Sequence, residues 1–147
     1  MYCEKLSEQL SAVDHAAAVT TATTASTTVI TGAAIDGSEY NRLIAYTRWT
    51  ATTSASGTWQ IQWQASVVSG FTGTATTVTT CSGAITTTGT TANASVSSCE
   101  VAGEQVQSAR AAEDRYVRAV LTLTSAAAPA IGGNLLVLAD AKRYHPS

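Results

Sequence analysis

A chain of 147 residues is long enough to bury a core and short enough to form one domain. Only 12% of its residues are charged and the formal net charge is −2, which excludes a nucleic-acid binder that works through a basic face. No run approaches the roughly 20 apolar residues of a membrane-spanning helix, so no membrane partner is expected.

Residues 1–18 stand apart as an N-terminal arm. Leu6, Leu10 and Val13 fall at helical spacing, so the segment reads as a short amphipathic helix or an extended arm. It is either a frayed terminus or an arm that reaches a neighbouring subunit. Residues 1–8 contain no basic stretch followed by an apolar one, so no secretory leader is expected and synthesis is expected in a cytoplasm.

The remaining residues, 19–147, are expected to form one domain. Threonine makes up about one residue in six; it is β-branched, favours strands and keeps an exposed face wet without charge. Residues 19–31 are Thr, Ala and Ser with a β pattern at Thr28-Val29-Ile30, as in an edge strand. Asp36-Gly37 marks a turn. Residues 40–49 read as a strand with Leu43, Ala45 and Trp49 inward. Arg42, Ile44, Tyr46 and Arg48 take its other face, which is either an interface or a pair of Arg stems lying over neighbouring strands.

Residues 57–66 alternate without a break. Trp59, Ile61, Trp63 and Ala65 share one face, and Thr58, Gln60, Gln62 and Gln64 the other. Only a strand with one wet side sorts residues in this way. Phe71-Thr72-Gly73 and residues 75–81 suggest one or two further strands. Residues 82–98 are the most polar, with short strands at Ala84-Ile85-Thr86 and Ala94-Ser95-Val96. Residues 102–114 are charged and Gln-rich, one helical turn or a loop.

Residues 116–124 form a strong strand with Val117, Ala119, Leu121 and Leu123 inward. Pro129 and Gly132-Gly133 close the next connection. Residues 134–139 are almost continuously apolar, as in a central strand covered on both sides. Lys142-Arg143-Tyr144-His145-Pro146 is an exposed basic tail. About eight short strands without a sustained helix predict an all-β fold, a single antiparallel β-sandwich or jelly roll. Trp49, Trp59, Trp63, Leu121, Leu123, Leu136 and Leu138 are the expected core anchors.

The residues of common active sites do not assemble into a motif. His15 and His145 lie near the ends, without a Ser or Cys at catalytic spacing, and there is no nucleophile elbow, phosphate loop or zinc motif. Glu100, Glu104, Glu113 and Asp114 are a weak glycosidase set beside the simpler reading of a solvated loop. Asp36, Glu39 and Asp114 lack the Asp-rich loop that calcium requires. No catalytic residue, cofactor or metal is therefore assigned, and the chain is not expected to be an enzyme. The three cysteines, Cys3, Cys81 and Cys99, are an odd and low count without a leader, which suggests reduced thiols. The alternative is a Cys81–Cys99 bridge across a hairpin.

The ordered set of features resembles the small β-sandwich decoration, or cement, proteins of tailed-bacteriophage heads. The likeness lies in Asp36-Gly37 leading into Tyr40-Asn41-Arg42-Leu43-Ile44. It continues in the Trp59 to Ser66 strand followed by Gly70-Phe71-Thr72. Arg115-Tyr116-Val117-Arg118-Ala119-Val120-Leu121-Thr122 then precedes an apolar strand and the basic tail. Together these cover most of residues 30–146. The resemblance implies a virion protein on the capsid surface that binds the major capsid protein and itself, as a homotrimer in preference to a dimer. Two further readings stand beside it: a tail or head-fibre component, and a carbohydrate-binding or adhesin module with Trp49, Trp59 or Trp63 as a sugar platform.

Overall fold

The computed structural model describes residues 11–19, 26–40, 42–51, 56–73, 75–86, 93–102, 105, 115–125 and 131–140. These residues form β1 (Ser11–Val19), β2 (Ser26–Thr31), β3 (Ile35–Asp36), β4 (Arg42–Ala51), β5 (Ser56–Ser66), β6 (Thr76–Thr86), β7 (Asn93–Ala102), β8 (Tyr116–Ser125) and β9 (Ile131–Ala139). A 3-10 turn, Gly37–Glu39, follows β3.

One sheet has the order β1-β9-β4-β7. The other has the order β2-β8-β5-β6, with β3 also on β8. Every pairing is antiparallel. The chain crosses from sheet to sheet at most connections, and only β5 and β6 are consecutive strands that pair with each other. The first strand lies beside the last in one sheet. This is an all-β sandwich with jelly-roll connectivity.

The alternation in β5 sets the register of the core. Ile61, Trp63 and Ala65 are fully buried, and β8 returns Val117, Ala119 and Leu121 to the same layer. β4 contributes Leu43, Ala45 and Trp49 from the opposite sheet. Trp59 is half-buried and packs on the edge of this core. β6 is one strand of 11 residues, where two shorter pieces were expected from the sequence. Within it Gly83 stands opposite Trp59, and a Cβ there would lie 2.7 Å from the Trp59 indole nitrogen, so the ring crosses over the glycine.

Three expectations change. Leu136 and Leu138 do not anchor the core. Leu135 and Val137 do, both fully buried, while the alternate pair faces out. Cys81 and Cys99 are not reduced thiols: they are bridged, with their Cα atoms 5.6 Å apart, while Cys3 lies outside the described residues. β6 and β7 are edge strands on the same side of the sandwich, so the bridge joins the two sheets rather than closing a hairpin within one. The helical alternative for the N-terminal segment does not hold over Ser11–Val19, which is paired with β9; residues 1–10 lie outside the described residues.

Candidate functional site

The two outer faces of the sandwich differ in chemistry. On the β2-β8-β5-β6 side, Arg118 Nε donates to Gln64 Oε1 at 3.0 Å, and Gln64 Nε2 donates to Gln62 Oε1 at 2.7 Å. The Arg118 guanidinium lies 4.1 Å from the centroid of the Phe71 ring, within reach of a cation–π contact. The Thr27 and Thr124 hydroxyls face each other at 3.4 Å. These contacts pair several of the polar side chains of this face with one another.

The β1-β9-β4-β7 side is apolar at its centre. Tyr46, Val96, Leu136 and Leu138 line an open depression of about 400 Å³, with Arg48 and Asn134 on its lining as well. Pairing explains the cluster. Tyr46 stands opposite Leu136, and Arg48 stands between Val96 on one side and Asn134 on the other. Val96 is 62% exposed, far above a core valine. Arg42 reaches Glu100 at 3.6 Å with both side chains about half exposed, an ion pair of little energetic weight. Among the described residues Arg48 makes no ion pair.

The other residues weighed from the sequence disperse. Trp63 is fully buried and Trp49 is 7% exposed, so neither offers a sugar platform. Asp36 is held by Arg115 at 2.5 Å, and the contact raises the Arg115 pKa through its hydrogen bond and charge interaction with Asp36. A carboxylate engaged in this way is a poor calcium ligand. Glu100 sits with Arg42. Glu104, Glu113, Asp114 and His145 lie outside the described residues. The sequence placed Val96 in a short strand but not in a surface cluster, because it is one apolar residue in a Ser-rich stretch. Its opposition to Arg48 across β4 and β7 was the missing signal.

A comparison with known protein-family models gives no match, and a search of curated proteins gives none. Among solved structures the chain is similar to one in the structure of infectious bursal disease virus, Gx strain, with a TM-score of 0.53 and 13% sequence identity. The likeness covers 92% of this chain and 33% of that one, so this chain spans about a third of its length. At that identity the likeness is one of fold.

Proposed function

We propose that this protein is a structural component of a virion, and that it binds the outside of an assembled bacteriophage capsid and reinforces it. The carrying observation is the jelly-roll order of the two sheets, together with a fold similarity over 92% of this chain to a chain of a virus structure. The resemblance to phage-head cement proteins points the same way. Clamping neighbouring shell subunits requires buried area and strand edges rather than chemistry. β2 and β6 are edges of their sheet and carry no charged residue, which leaves them open to strand addition. The Cys81–Cys99 bridge fits a protein that works in an oxidising place, as the exterior of a released particle is.

A tail or fibre component would use the same sandwich in fewer copies. Copy number decides between the two. Purified particles analysed by quantitative mass spectrometry should contain this chain at near one copy per shell subunit. A handful of copies would assign it to the tail or a fibre, and absence from particles would overturn the virion reading.

A further inference from the structure

We propose that the outer face of the β1-β9-β4-β7 sheet receives an extended segment of the shell protein that carries an apolar side chain beside a carboxylate. The proposal rests on the virion-surface reading and names the contact through which it would act. β9 is apolar at Leu135, Leu136, Val137 and Leu138 in succession. Leu135 and Val137 are covered by the opposite sheet, whereas Leu136 and Leu138 line the open depression. A run apolar on both faces is the pattern of a strand covered on both sides, and the described structure covers only one side of this one. The opposite sheet supplies a partial contrast, since its outer face carries hydrogen-bonded Gln, Arg and Thr side chains with Val29 as an isolated exposed apolar residue.

The shape selects the form of the occupant. A depression of about 400 Å³ takes a protruding side chain better than a second flat sheet. From Asn134 to Leu138 it extends along four residue steps, roughly 13 Å at about 3.3 Å per residue, enough for a short extended segment. The charge selects its chemistry. Glu100 is already beside Arg42, and Arg48 is exposed without an ion-pair partner among the described residues. Among the described side chains of the face the charge left over is thus that of Arg48, and a guanidinium fork binds a carboxylate through two parallel hydrogen bonds.

The test is sedimentation of the purified protein with particles grown without it. Val96→Asp places a carboxylate at the depression beside Arg48, and Arg48→Glu reverses the charge there. Each should weaken particle binding by about tenfold or more. Val67→Asp changes a valine that is 51% exposed just after the end of β5, away from the depression and from β2 and β6, and should bind as the wild type does. All three sites are exposed, and far-UV circular dichroism with a thermal melt checks that each variant folds. Wild-type binding with equal binding by Val96→Asp and Arg48→Glu would overturn the contact and leave the virion reading standing. No binding by the wild type would overturn both. If Val96→Asp instead converts an oligomer to a monomer while particle binding is unchanged, the face belongs to a second copy of this chain and the proposal fails.

Discussion

The Trp63 indole nitrogen donates a hydrogen bond of 3.1 Å to the carbonyl oxygen of Cys99. Trp63 is on β5 and Cys99 on β7, so the bond crosses from one sheet to the other. Cys99 also carries the sulfur that bridges to Cys81. One residue of an edge strand is therefore tied to the opposite sheet twice, once by its backbone and once by its side chain. Trp63→Phe removes the donor and part of the ring from a site with no exposed surface. It should cost about 2–4 kcal/mol from the lost bond and the space left behind. Urea unfolding reads this as a lower midpoint at an unchanged slope. A loss under about 1 kcal/mol would mean that the indole bond adds nothing beyond what water offers.

The bridge makes a separate prediction. It closes a chain segment of 18 residues in sequence separation, for which the chain-entropy treatment gives about 3 kcal/mol. Replacing both Cys81 and Cys99 with Ala should lower stability by about that amount. The far-UV spectrum should be unchanged, because the eight long strands keep their partners. Reductant should lower the unfolding midpoint of the wild type and leave that of the double variant where it was. Equal midpoints for wild type with and without reductant would show that the bridge is not formed in solution.

Periodicity made β5 and β8 readable before any coordinates, since each has one dry and one wet face and the residues sort themselves. β9 was not readable in the same way. Leu135, Leu136, Val137 and Leu138 are all apolar, so the run carries no phase, and Leu136 and Leu138 were assigned inward when the alternate pair is. Packing sets that phase. Gly133 stands opposite Trp49 in the sheet, and a Cβ on it would meet Leu123 of the other sheet at 2.7 Å. Gly133 is therefore inward, and Leu135 and Val137 follow it. The Cys81–Cys99 pairing was open in the sequence as a bridge across a hairpin, but its place between the sheets was hidden, because spacing says nothing of which edges stack. Two cysteines meet across the sandwich only once β6 and β7 lie on the same side of it. The depression needed both facts at once, the phase of β9 and the register of β7 on β4.

Gly83 faces the Trp59 ring, three of whose atoms would lie within 3.0 Å of an added Cβ. The ring is only half-buried, so it has somewhere to go. Gly83→Val should turn it toward water and cost about 1–3 kcal/mol. Trp49 and Trp63 remain in the core, so the red shift in tryptophan emission should come from Trp59 alone. The same substitution in a Trp59→Phe background should leave the emission unchanged. An emission shift that persists there would place the disturbance deeper in the core.

Thr47 offers a change in the opposite direction. It lies in β4 between Ala45 and Trp49 in alternation, has no exposed surface, and its hydroxyl finds no hydrogen-bond partner among the described residues. An unpaired hydroxyl in a dry core carries its full desolvation cost. Valine has nearly the same shape and no such group. Thr47→Val should therefore raise stability by about 1 kcal/mol. Threonine and valine share high strand propensity, so the gain would not come from the backbone. Thermal and urea unfolding should both move to higher midpoints with the spectrum unchanged. A loss of stability would mean that the hydroxyl is satisfied in solution, by a buried water or by a residue beyond those described, and that valine strands its partner.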